Sequence, residues 1–417
     1  MAPDLDATLS ELSRLRSARE PIVTLYLDLR WSDEHQRERV RLFVQEGIRR
    51  TLAHHLDDGP GREGLDRTLD RVQAYARELT TRAHAEDMSG LALFACEELS
   101  LWRPELLRRP FVNQLALDAF PHLLQLARLA EDELPALAAV VDRAGADVWL
   151  VRQGEVELAA SEHGTVTRSD SEKLDAGTGQ PRRQYERERK NERREEELAA
   201  KGRRAVQARL VALHDATPSA RVVLVGISAT VAAFERDLPD RVRNAVIARL
   251  PKPGGWERGG AAMREGLVEE VRRALAAHER EDEQAAVQLV VGEALRGGLG
   301  VVGPEDVVLA ANEGRVHHLV VEEDFRRAGW RCDGCDALGI TEGDADCPFC
   351  GGDLRTVRDL GEALVARTLA GRGRVEVVRH ASRLHAYRGI GALLRQTAPT
   401  GLRGASPPWP TAPGASR

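Results

Sequence analysis

The sequence predicts an α/β protein of three α/β domains, the third carrying an inserted zinc ribbon. Three observations lead to this. The 417 residues exceed what one hydrophobic core usually serves. Apolar, β-branched runs alternate with long charged amphipathic stretches along most of the chain, as strands alternate with helices. Two C-x-x-C pairs lie close together in the last third.

The first domain is expected over 1–133. PIVTLYLDL, from Pro21 to Leu29, is apolar and β-branched throughout, which suits a buried strand. Amphipathic helices are expected over Arg37 to His54 and Leu65 to His84, followed by a hairpin-like pair of strands in GLALFA and LSLWRP. The second domain, 134–280, opens with two apolar runs around an Arg-Ala-Gly-Ala turn, in which Asp142 and Arg143 are turn residues. A charged stretch from Arg182 to Ala208 interrupts the strands, ARVVLVGI resumes them, and helices from Met263 to Arg280 close the segment. The acidic run Glu279 to Gln284 reads as a hinge into the third domain, 281–396, whose ribbon spans 330–354. In RVHHLVV one of His317 and His318 should face the core and the other solvent. The last segment, 397–417, is rich in Pro, Ala, Gly and Ser, a composition expected to be disordered.

Composition narrows the function. A net charge of -6 argues against a uniformly basic nucleic-acid coat, so any such contact must be a local patch. No apolar run reaches the roughly 18 residues of a membrane span. Met1 to Leu9 has no basic region before an apolar core, so no secretory signal is expected there. Four of five cysteines are paired as C-x-x-C and Cys96 sits alone in LALFAC, a reduced, cytoplasmic pattern with Cys96 as a small buried hydrophobe. GTGQ is not followed by G-K-[ST], and GVVGPEDV lacks phosphate-binding spacing, so the chain is expected to carry no nucleotide of its own.

Cys332 and Cys335 precede Cys347 and Cys350 by eleven intervening residues. Two such knuckles bring four thiolates onto one tetrahedral Zn²⁺, with glycines allowing the tight turns. Redox or iron-sulfur chemistry is the lesser alternative. Four protein ligands leave no position for a catalytic water, so the zinc is expected to be structural.

The order of these features resembles a known family. PIVTLYLDLR, AAVVDRAGADVWLV, GTGQPRRQYERERK, LAANEGRVHHLVVEE, the two knuckles and GIGALLR look like the archaeal and eukaryotic class I release factors and Pelota. They look more closely like the bacterial proteins of archaeo-eukaryotic release-factor type, Balon-like hibernation factors among them. The resemblance implies that the middle domain carries a Gly-Gly-Gln loop that enters the peptidyl-transferase centre, where the glutamine helps water cleave peptidyl-tRNA. Gly179 and Gln180 match the last two positions and are the implied catalytic residues, while Thr178 replaces the first glycine. Thr is β-branched and disfavours the positive φ that Gly adopts freely.

Behind the loop, Arg182, Arg183, Arg187, Arg189, Lys190 and Arg193 form a basic stalk suited to phosphate contact in an RNA-lined channel. A solvated helix laced by ion pairs such as Glu186 with Lys190 is the plain alternative. The first domain lacks the family's Asn-Ile-Lys-Ser and Tyr/Cys codon-reading motifs. The expected function is therefore a cytoplasmic, ribosome-associated factor that enters the A site without reading a stop codon, for rescue or for hibernation. The resemblance implies ribosome, rRNA and tRNA as partners, a translational GTPase docking on the third domain, and a monomer without membrane contact. The alternatives are a peptidyl-tRNA or tRNA-end hydrolase acting off the ribosome, and a zinc-stabilised non-catalytic scaffold.

Overall fold

The computed structural model describes residues 5–30, 35–54, 61–81, 88–132, 135–142, 145–152, 155–163, 181–217, 220–253, 260–340, 346–380 and 382–396. The chain divides into two compact units, Asp132–Glu281 and a second made of Met1–Glu131 with Asp282–Arg417.

In the second of these units, β1 (Ile22–Asp28) is the apolar run expected as a strand, and all but its last residue are buried. It lies inside an antiparallel sheet of order β3-β2-β1-β4, with β2 (Gly90–Cys96), β3 (Leu101–Leu107) and β4 (Gln114–Asp118). β2 and β3 form the expected hairpin, pairing Gly90 with Leu107 through Cys96 with Leu101. Alternation of side chains divides this sheet into two apolar faces. Val23, Leu25 and Leu27 pack under α2 (Gln36–His54) and α3 (Arg62–Thr81). Tyr26, Ala92 and Phe94 join a different core with α1 (Leu5–Leu12) and α4 (Leu124–Asp132).

That second core extends into the C-terminal segment. There β10 (Gly300–Val302), β11 (Val316–Glu322), β15 (Arg374–Val378) and β16 (Ile390–Leu394) make a sheet of order β10-β16-β11-β15, in which only β11 and β15 are parallel. One face buries Leu319, Val321, Val377 and Ile390 with α9 (Pro304–Asn312) and α10 (Leu360–Ala370), in the same cluster as Leu12, Tyr26 and Phe120. The first and third α/β segments thus bury one continuous core. His317 is exposed and His318 half-buried on β11, the division expected from alternation.

The middle unit is a five-stranded sheet of order β7-β6-β5-β8-β9, built from β5 (Ala136–Val141), β6 (Gly145–Arg152), β7 (Glu155–His163), β8 (Arg221–Gly226) and β9 (Val246–Leu250). β5, β8 and β9 run parallel, and β6 and β7 antiparallel. Asp142 N–H donates to Gly145 O at 3.0 Å and Asp142 Oδ1 accepts from Gly145 N–H at 2.8 Å; residues 143 and 144 of the expected turn lie outside the described residues. α5 (Pro181–Ala216), α6 (Ser228–Arg236) and α7 (Asp240–Arg243) cover one face through Val206, Leu210, Phe234 and Val242. Met263, Leu267 and Val271 of α8 (Ala261–Leu295) cover the other.

Glu279–Gln284, expected as a hinge, is helical within α8, a single helix of 35 residues, and the boundary between the two compact units, Glu281 to Asp282, falls inside it. Its Ala, Glu, Arg and Gln residues are strong helix formers, and no proline breaks the run. Glu283 is buried and accepts from His380 Nδ1 at 3.0 Å and from Arg379 Nε at 3.3 Å. The tail 397–417 lies outside the described residues.

Candidate functional site

The four cysteines of the two knuckles come together. Their Sγ atoms all lie within 4.8 Å of one another. Cys332 and Cys350 are 3.4 Å apart, and Cys335 and Cys347 3.6 Å. A tetrahedral ion with metal–sulfur bonds of about 2.3 Å sets its ligands about 3.8 Å apart, so the cluster fits one metal ion.

The knuckles are shaped for this. Cys332 Sγ accepts N–H bonds from Gly334 at 3.2 Å and Cys335 at 3.4 Å, and Cys347 Sγ accepts one from Phe349 at 3.4 Å. Such donors stabilise thiolate character. Burial alone would raise the Cys332 thiol, yet these amides and the neighbouring thiols hold it below its ordinary value, whereas burial pushes Cys335 up to about 12. A bound cation is what allows four such close sulfurs to be ionised together. Gly351 turns the chain at φ +71, and a Cβ on Gly352 would stand 3.3 Å from both Cys332 and Cys350 Sγ.

The ribbon is a three-stranded sheet of order β13-β12-β14, with β12 (Gly329–Cys332), β13 (Leu338–Gly339) and β14 (Leu354–Val357). It is bolted to the core by polar side chains. Asn312 on α9 donates from Nδ2 to Leu338 O at 2.8 Å and accepts Leu338 N–H at 2.9 Å. Arg367 on α10 donates to Asn312 Oδ1 at 2.6 Å, to Asp336 Oδ2 at 3.0 Å and to the Asp336 carbonyl. Asp336 immediately follows Cys335 of the cluster, has φ +58, and also accepts from Arg331 at 2.8 Å.

Sequence reasoning missed a second constellation. Glu362 and His122 are both buried where the first and third segments meet. Glu362 Oε2 accepts the N–H groups of Leu123 at 2.7 Å and Leu124 at 2.9 Å, and its Oε1 lies 3.9 Å from His122 Nδ1. Asp118 Oδ2 stands 3.6 Å from His122 Nε2. Burial raises the Glu362 carboxyl above its ordinary value, a shift that neighbouring Asp359 reinforces. Burial works against a charged His122, but the carboxylates of Glu362 and Asp118 outweigh it and raise the imidazole. A lone Glu inside LGEALVARTLA, a helix buried almost all round, is the signal that could have found it.

Gly179, Gln180 and Thr178 lie outside the described residues. Arg182, Arg183, Arg187, Arg189, Lys190 and Arg193 fall in α5, where the backbone is helical and the described side chains come later. α5 runs for 36 residues, about 54 Å at 1.5 Å per residue. It packs on the sheet by buried residues nearer its other end, among them Val206, Leu210 and Gln207, whose Nε2 donates to Phe234 O at 2.8 Å. Cys96 is fully buried in the core, as expected of a small hydrophobe. Among the described residues no helix is long and apolar enough to cross a membrane.

Residues 121–264 match the model of bacterial archaeo-eukaryotic release factor family 10. No curated protein matches the chain. Among solved structures, the archaeal translation termination factor aRF1 aligns at 16% identity over 94% of this chain and 97% of its own, with a TM-score of 0.24. Archaeal Pelota, in a ribosome-bound model with ABCE1, aligns at 15% identity over 95% and 96%, with a TM-score of 0.40. Dom34 of S. cerevisiae, described as a translation termination-like factor interacting with Hbs1, aligns at 12% identity over 72% and 74%, with a TM-score of 0.39. The protein is similar to the bacterial archaeo-eukaryotic release factors.

Proposed function

We propose that the chain is a ribosome-associated translation factor that enters the A site without reading a stop codon and delivers Gly179–Gln180 to the peptidyl-transferase centre. The observation that carries this reading is the family match over 121–264, which contains the glycine-glutamine loop and the whole of α5. A helix of 36 residues starting at Pro181, anchored on its sheet by residues beyond 200, suits the role of a stalk for the preceding loop. In this reading Arg182, Arg183, Arg187, Arg189, Lys190 and Arg193 contact rRNA and tRNA phosphates, which fix position without reading sequence.

The chemistry follows from what surrounds the tip in sequence. Cleaving the ester of peptidyl-tRNA needs a positioned water and donors aimed at developing charge. Within three residues of Gln180 there is no His, Asp or Glu. Gln180 therefore acts by positioning water through its backbone N–H and side chain, with no side-chain base beside it. Thr178 restrains the backbone where the family has glycine, and this favours slow release, or occupancy of the centre without release, over rapid termination.

The four cysteines hold zinc in a structural role, and the C-terminal segment is the docking face for a translational GTPase. The protein works as a cytoplasmic monomer. Co-sedimentation with ribosomes over a range of salt tests the proposal. Binding that weakens steeply with salt is expected, and failure to co-sediment at low salt would return the chain to an off-ribosome hydrolase or a scaffold.

A further inference from the structure

The helix α10 carries two buried charged side chains, and each serves a different segment. Glu362 reaches the first segment, where its carboxylate holds the N–H groups of Leu123 and Leu124 at the start of α4. Arg367, five residues on, reaches the ribbon, where it grips both the carboxylate and the carbonyl of Asp336 beside Cys335 of the cluster. Between them the helix is buried without a break from Leu360 to Thr368. The ribbon's Leu338 shares a core with Leu9 and Leu12 of α1 and with Phe120. Arg16, just beyond α1, lies 5.7 Å over the Phe120 ring.

We infer that metal occupancy of the four-cysteine site controls how firmly the N-terminal α/β segment is docked, with Asp336, Arg367 and Glu362 as the positioning residues that transmit it. Filling the site fixes Cys335 and with it the left-handed Asp336, so that Arg367 has both acceptors in place. Arg367 then fixes α10, and α10 presents Glu362 to α4. Emptying the site releases Asp336 and lets α10 shift, which loosens the capped start of α4. The coupling is reciprocal by linkage: what loosens α4 must also weaken the metal.

Two measurements on the full chain test this, with zinc ion as the probe. Chelation should raise amide exchange at 329–357 and also at α10, α1 and the first turn of α4, by about tenfold or more, leaving β8 protected. Glu362→Gln, which keeps shape and lies outside the ribbon, should bind zinc more weakly by a factor of about five or more. Arg367→Gln should likewise bind zinc more weakly, and should show the loosened α4 even when excess zinc keeps its site loaded. Exchange that rises only at 329–357, wild-type zinc affinity in Glu362→Gln, or wild-type protection of Leu123 and Leu124 in zinc-loaded Arg367→Gln would overturn the inference. So would a wild-type chain that binds no zinc.

Discussion

Glu362 caps a helix that lies more than two hundred residues before it: its Oε2 accepts the Leu123 N–H at 2.7 Å. The first turn of a helix leaves N–H groups without intrahelical partners, and a carboxylate there also meets the positive end of the helix dipole. Usually a neighbouring Ser or Asp does this. Here the third segment supplies the cap for the first, which makes the contact a measure of their docking.

Glu362→Ala should therefore destabilise the unit formed by the first and third segments by about 3 kcal/mol, since buried donors are left unsatisfied as well as uncapped. Denaturant unfolding followed by a probe in that unit measures it. A loss below about 1 kcal/mol would mean that water replaces the carboxylate at no great cost.

The same cluster should make stability depend on pH. Both Glu362 and His122 are raised above their ordinary values, so the folded state holds protons that the unfolded state releases. The contribution is fully present below the ordinary carboxylate value. It declines as pH rises through the raised values of Glu362 and His122. Glu362, Asp118 and Asp359 are the charged groups that raise the imidazole, Gln114 Nε2 lies 3.2 Å from its Nδ1, and the Tyr26 hydroxyl donates to the His122 carbonyl at 2.8 Å. His122→Gln should flatten the pH profile. A wild-type stability that climbs steadily from about pH 5 to pH 8 would contradict this sign.

Replacing any one of Cys332, Cys335, Cys347 or Cys350 by Ser should abolish stoichiometric zinc and unfold the ribbon locally, because thiolate binding and folding are one event at such sites. Metal content per chain, measured on protein purified without chelator, checks this. Full zinc content in the Cys350→Ser chain would remove that residue from the ligand set.

Neutralising Arg182, Arg183, Arg187 and Arg189 together should lower the salt slope of ribosome binding by about three, at roughly 0.7–0.9 for each phosphate no longer neutralised. The fold should be unaffected, since the packing of α5 on its sheet comes from Val206, Leu210 and neighbours. An unchanged slope and affinity would make the stalk a solvated helix.

Much of the fold was legible because local pattern and burial agree. β1 reads as a strand from its apolar run and is one, and the two knuckles announce their cluster by spacing alone. What escaped the sequence depends on packing between distant segments. The common core joins Leu12 to Leu364, and nothing local to either residue reports the other. The acidic run 279–284 does hold the boundary between the two units, but its helical backbone was not legible, for a related reason. Glu283 reads as one acid in a solvated run, but His380 and Arg379 bury it, and the helix continues. The polar bolts at Asn312 and Arg367 were invisible on the same grounds, since Asn and Arg in isolation read as surface residues.

The central claim is that Gly179–Gln180 reaches the peptidyl-transferase centre, and a photo-crosslinking amino acid at residue 180 tests it most directly. Ribosome complexes carrying it should yield cross-links to large-subunit rRNA of that centre, which disappear at high salt and in the chain lacking the four arginines. Cross-links to ribosomal protein alone, or none from a complex that still co-sediments, would contradict the account.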